Sequence, residues 1–188
     1  MDQQDDVQTV TLKRPIIVGA GDKGKTYETL TLREPTAGEL GKVSREETSV
    51  AGLTQMITLV AGIPRDVARM LCSRDLDQCD EILSSFKIPE GEEPMVDEDQ
   101  LDEYTITLRK PVTVANVRET TLTLTEPSGK DKERAAKAAT ETLAAIDLIS
   151  AVAKVPRVVV ERLCQRDFEE ACYFLASCRL VGRPTGRT

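Results

Sequence analysis

The 188-residue chain carries a net charge of −7, is 40% apolar but only 3% aromatic, and contains neither histidine nor tryptophan. Lack of histidine removes the commonest general base and the commonest metal ligand together, which disfavours an enzyme. The acidity belongs to one segment: residues 87–103 hold eight acids against one base, −7 in all, so the rest sums to zero and gives no reason to expect nucleic acid as a partner.

Residues 8–18 begin with period-2 alternation, Val10 and Leu12 against Thr9, Thr11 and Lys13, and predict a strand that Pro15 confines to an edge or bends. Residues 19–25 predict a loop. Tyr27 to Arg33 alternates again, with Leu30 and Leu32 on one face, so the two stretches form a β-hairpin. The period then changes. Thr36-x-x-Glu39 is a capping box, in which the hydroxyl accepts an orphan amide and the acid suits the positive end of a helix. Val50, Leu53, Met56, Ile57 and Val60 recur at helical spacing and predict an apolar stripe. Gly62 stops that helix and Pro64 opens the next at its first turn, with Val67, Met70 and Leu71 inward. A last helix is expected from Asp75, burying Leu76, Cys79, Ile82, Leu83 and Phe86.

The same plan returns at a spacing of 92. Leu30-Thr-Leu-Arg-Glu-Pro35 becomes Leu122-Thr-Leu-Thr-Glu-Pro127, Thr36-x-x-Glu39 becomes Ser128-x-x-Asp131, Pro64-Arg65 becomes Pro156-Arg157, Leu71-Cys72 becomes Leu163-Cys164, and Arg74-Asp75 becomes Arg166-Asp167. Constant register over more than forty residues marks a tandem duplication. The second hairpin loop is four residues shorter, because Pro15 maps to Pro111 at 96. Gly129 to Lys154 has no Pro or internal Gly and predicts one long helix with Leu143, Ile146, Ile149 and Val152 on its stripe, whereas Gly41 and Gly52 should break the equivalent region of the first copy. The expected fold is α+β: two tandem copies of a β-hairpin followed by three or four helices, mainly helical overall. The expected boundaries are a first repeat at 7–86, a solvated acidic linker at 87–103, a second repeat at 104–180 and a flexible basic tail at 181–188.

Three motifs invite chemistry. Gly19-Ala-Gly-Asp-Lys-Gly24-Lys25-Thr26 satisfies the phosphate-loop pattern, but that chemistry needs a helix opening at Lys25-Thr26, and Tyr27 to Arg33 alternates like a strand. The second copy also replaces the loop with Ala115-Asn116-Val117, so nucleotide binding stands only as a remote alternative. Cys72, Cys79, Cys164, Cys172 and Cys178 match no compact metal knuckle and are expected as reduced, mainly buried thiols; no metal and no cofactor is expected. Asp75 and Asp167 read as helix N-caps with an arginine just before them.

The N-terminal strand Thr11-Leu-Lys-Arg-Pro15, the stretch Tyr27 to Pro35 with its Leu-Thr-Leu-Arg-Glu-Pro, Gly62-Ile-Pro64 and Arg74-Asp-Leu76 resemble the tail assembly chaperones of long-tailed bacteriophages, grouped with Mu-like and P2-like phage proteins. The likeness covers most of 8–86 and returns more weakly over 104–178. Family members usually carry one such unit. The resemblance implies a non-enzymatic protein of the host cell cytoplasm, absent from the mature virion. Its partner would be the tape-measure protein, kept soluble until the tail tube polymerises, with the tail tube protein as a second partner and self-association open. A structural tail or baseplate subunit retained in the virion is the alternative. No apolar run approaches the roughly 20 residues that span a membrane, and the first six residues are no signal peptide. The candidate capturing face is Leu53, Met56, Ile57 and Val60 with Leu143, Ile146 and Ile149, against the reading that these are simply core.

Overall fold

Alternating apolar side chains build the first hairpin. In the computed structural model, which describes residues 7–19, 24–97 and 102–180 (side chains through Cys178), Val10 and Leu12 of β1 (Val7–Val18) and Leu30 and Leu32 of β2 (Lys25–Arg33) are buried. The strands run antiparallel with Val10 opposite Leu30. Their register shifts between Thr11 and Ile16, so Pro15, which has no amide to donate, lies in the irregular stretch. The second hairpin repeats this: β3 (Tyr104–Val114) pairs with β4 (Val117–Leu124), Ile106 sits opposite Leu122, and the shift between Thr107 and Val112 contains Pro111. Ala115 and Asn116, at φ 48° and 66°, make the two-residue turn whose twist suits a hairpin. In the first hairpin Lys25 and Thr26 open β2 rather than a helix, so the amide array of a phosphate loop is not built there; residues 20–23 of that motif lie outside the described residues.

Among the described residues each hairpin is followed by four helices. The first set is α1 (Ala37–Val43), α2 (Ser49–Ala61), α3 (Arg65–Ala68) and α4 (Ser73–Ser85); the second is α5 (Gly129–Ala135), α6 (Glu141–Val152), α7 (Arg157–Glu161) and α8 (Gln165–Leu180). The α+β expectation of two hairpin-plus-helix copies holds, with helices at 46% and strands at 26% of the described residues. Both capping boxes form: Thr36 accepts the Glu39 amide and Ser128 the Asp131 amide, each acid bonding back to the cap. Gly62 ends α2 in the left-handed region at φ 62°.

Three expectations are corrected. The long helix over 129–154 is two helices, because Thr140 adopts extended backbone and caps α6 by accepting the Leu143 amide; a local cap outweighs the alanine-rich propensity around it. Gly41 and Gly52 break nothing, each lying inside its helix, and the break in the first copy falls instead before Thr48, which caps α2 in the same way. Val50 and Met70, read as inward-facing, are exposed at 62% and 58%.

The chain forms two compact units. The first holds the residues up to Pro35 together with Arg45–Phe86, and the second holds Thr36–Ser44 together with the chain from Lys87 onward. The first unit's core gathers Val10, Leu12, Leu30 and Leu32 with Ile57, Val67, Cys79 and Phe86. The second packs Ile106, Leu122 and Leu124 against Ile146, Ile149, Leu163 and Phe174, and Ala37 of α1 belongs to the same cluster. The described part of the acidic connector is partly anchored within the second unit: the Ile88 amide donates to the Glu169 carboxylate at 2.8 Å, and Val96 packs against the core. The basic tail at 181–188 and the first six residues lie outside the described residues.

Candidate partner-binding site

Helix α6 shows what the repeated apolar stripe can hold. Leu143, Ile146 and Ile149 are buried, and α1 lies across the first two. A Cβ on Gly41 would come within 2.9 Å of Leu143 Cδ2 and 3.1 Å of Ile146 Cδ1, and one on Gly38 within 2.9 Å of the Glu161 carbonyl oxygen. Those two glycines, three apart, form one smooth edge of α1 and permit backbone-close packing. Polar contacts fix its ends. The Ala37 amide donates to the Leu163 carbonyl at 3.0 Å, Thr36 forms an isolated bridge with Cys164, and the Ser44 and Thr140 hydroxyls meet at 2.7 Å. A helix that lies inside the first repeat in sequence is thus a structural part of the second unit. The seat takes one short, N-capped, small-residue helix.

At the repeat spacing of 92 the positions of Leu143, Ile146 and Ile149 hold Ala51, Thr54 and Ile57 in α2, so the floor of this seat is not repeated in the first unit. Met56, Ile57 and Val60 are buried in the first unit and Leu53 is half-buried. The candidate residues therefore belong to two separate faces, one in each unit, both continuous with a core. Sequence reasoning missed Gly38, Gly41, Ser44 and Thr140. Its available signal was the i, i+3 glycine pair of the first copy, which the second copy replaces with Lys130 and Glu133.

The repeated Arg-Asp pairs are structural, by a different route from the one expected. Asp75 and Asp167 lie inside the first turns of α4 and α8 rather than at the N-caps, and both are fully buried. Each reaches the strand stretch where pairing is interrupted. Asp75 Oδ1 accepts the Lys13 amide at 2.9 Å, and Asp167 Oδ2 accepts the Arg109 amide at 3.0 Å. Burial works to raise the pKa of Asp75, but the Lys13 amide, the Cys72 thiol and the Arg14 amide outweigh it and hold the carboxyl below its ordinary value. Arg109 adds ion pairs to Asp167 at 2.7 Å and Glu170 at 2.9 Å.

The cysteines are free thiols: Cys79, Cys164 and Cys178 are buried, Cys72 and Cys172 half-buried. Among the described residues no group of His, Cys, Asp or Glu is arranged to hold a metal ion, and no helix is long and apolar enough to cross a membrane. Cys172 lines an apolar groove of about 360 Å³ between α5, α6 and α8, with Ala145, Leu148 and Leu175.

A profile described as phage tail assembly chaperone proteins, E, or 41 or 14, matches residues 9–87 and again 105–177, one match to each hairpin-plus-helix copy. The chain belongs to the phage tail assembly chaperone family. The duplication read from the sequence is thus two copies of the chaperone unit in one polypeptide. No curated protein and no solved structure gives a significant match to this chaperone.

Proposed function

We propose that this tail assembly chaperone binds the tape-measure protein and keeps it soluble while the tail tube assembles, acting in the host cytoplasm and leaving before the virion is complete. The carrying observation is the α6 seat, an apolar stripe that already accepts a short helix against Leu143 and Ile146. A tape-measure protein is a long helical polypeptide with apolar faces to shield, and helix-on-helix capture is the recognition mode such stripes serve. Two repeats, 7–86 and 104–180, joined by the acidic 87–103 segment, would raise the local concentration of the second holding site once the first is engaged. The proposed holding faces are Leu53, Met56, Ile57 and Val60 in one repeat and Leu143, Ile146 and Ile149 in the other; all but Leu53 are buried in the free chain, so the partner would engage them by displacing what covers them, as α1 covers Leu143 and Ile146. The work is done by apolar contact alone, with no catalytic step.

Co-expression with the tape-measure protein tests this: the tape-measure protein should move from the insoluble to the soluble fraction and co-purify with the chaperone. Mass spectrometry of purified virions should find no peptide of this chain. A tape-measure protein that stays insoluble, or a chain present in every particle, overturns the reading and favours a retained tail or baseplate subunit.

A further inference from the structure

Helix α1 is folded by its seat rather than by its own sequence. It has seven residues, well short of the roughly 12–15 that an isolated helix needs. Two of the seven, Gly38 and Gly41, are glycine, the residue least suited to a helix interior after proline. Ala37 is the buried side chain it contributes to the core, and Leu40 packs against that core only in part. Away from α6 and α7 the segment has too little to keep it helical.

Its departure would cost the rest of the second unit few bonds. The Ser44 hydroxyl spends its hydrogen on the Gly41 carbonyl at 2.9 Å, so Thr140 is the donor in the 2.7 Å contact between the two hydroxyls. The same Thr140 oxygen accepts the Leu143 amide and caps α6. With α1 gone that cap stays, while the Thr140 hydrogen and the Leu163 carbonyl turn to water. Helix α5, the second copy's own helix at this place in the repeat, stays packed on α6. What is uncovered is apolar: Leu143 and Ile146, the side chains against which Gly41 lies.

The segment is also tethered on both sides. Pro35 and Arg45 belong to the first unit, and residues 44–48 between α1 and α2 are not helical. A displaced α1 therefore stays on the chain at high effective concentration and competes for its seat. We infer that α1 is a built-in competitor of the held polypeptide. It closes the holding face of the second repeat, gives way when a helix of the tape-measure protein takes Leu143 and Ile146, and closes again as that helix is withdrawn. The inference rests on the proposed function and assigns its regulation: the apparent affinity is lowered by the share of time the seat is closed.

The test locks α1 in place. The full chain with Ser44→Cys and Thr140→Cys puts two thiols where two hydroxyl oxygens lie 2.7 Å apart, and peptide mapping after oxidation identifies the 44–140 bridge. Tape-measure protein is then diluted from urea into the purified chaperone, and the fraction left in solution is measured. The bridged chain should need about tenfold more chaperone, or more still, than the same chain reduced with dithiothreitol, and Gly41→Val, which unseats α1, should need several-fold less than the parent. In the complex of the parent chain, hydrogen exchange at the Ala37 amide should speed up while the β3–β4 amides stay protected. A bridged chain that holds as well as the reduced one, a Gly41→Val chain that holds no better than the parent, or an Ala37 amide as protected in the complex as in the free chain overturns the competitor and leaves the holding function standing. Failure of the parent chain to hold the tape-measure protein removes both.

Discussion

Asp75 and Lys13 lie 62 positions apart in the chain, yet the buried carboxylate of one accepts the backbone amide of the other at 2.9 Å. This bond closes the gap that the shifted register of β1 leaves in its ladder, and it ties α4 to the hairpin. Asp167 and Arg109 repeat it in the second unit at 3.0 Å. Asp75→Ala should strand the Lys13 amide without a partner, at a cost of about 1–3 kcal/mol. Asp75→Asn, which keeps an acceptor oxygen of the same reach, should lose less. Urea unfolding of the three chains gives the comparison; equal midpoints for parent and Asp75→Ala would show that the bond contributes nothing.

The same carboxylate predicts a pH dependence. Its folded pKa lies below the ordinary value, so the unfolded chain binds its proton first as pH falls. Its contribution is complete above the unfolded pKa of about 3.9 and is lost as pH drops through the lower folded value. Between neutrality and pH 3 the parent should therefore lose more stability than Asp75→Asn, which has no proton to take up at that position. Denaturation midpoints at pH 7 and pH 3 measure the difference, and parallel losses in both chains would contradict it.

Gly38 and Gly41 set how closely α1 can lie in its seat. Gly41→Val would push a branched side chain into Leu143 and Ile146, where even a Cβ sits 2.9 Å from the nearest carbon. The expected cost is about 1–3 kcal/mol, taken as detachment of α1 rather than collapse of the unit, because few groups besides Ala37 are lost from the core. Hydrogen exchange should show the Ala37 amide, held by the Leu163 carbonyl, losing protection while the β3–β4 amides keep theirs. Unchanged protection at Ala37 would mean that the seat has more room than the distances indicate.

The duplication and both hairpins were legible because they rest on local signals: alternation in Val10, Leu12, Leu30 and Leu32, the paired capping boxes, and a constant spacing. The family resemblance was legible for the same reason, since its motifs fall at strand and helix boundaries. What stayed hidden was non-local. Nothing in the periodicity of residues 36–44 says that this helix joins the second unit, because an amphipathic stripe records that a face is covered and not what covers it. The role of Asp75 was misread for a related reason. A helix-start aspartate looks like a cap in sequence, and only the distant bulge at Lys13 reveals which amide it serves. Thr140 was missed because alanine-rich flanks masked a single capping hydroxyl.

Two thiols carry the last prediction. Burial pushes Cys172 up to about 12, with the Glu169 carboxylate adding to it, and burial pushes Cys79 up to about 11, with Asp75 adding to it. Both stay protonated in the folded chain at pH 8, where an unfolded cysteine of pKa about 8.5 is partly thiolate. A folded pKa above the unfolded one means that these thiols contribute stability below about pH 8.5 and lose it as pH rises toward the folded values. Alkylation with iodoacetamide at pH 8 should therefore spare Cys79 and Cys172 in the native chaperone and reach both after unfolding in urea. Peptide mass mapping reads each site separately. Native-state labelling of Cys172, which lines the groove between α5, α6 and α8 and is only half-buried, as fast as in urea would show that its thiol is not held protonated as its raised pKa implies.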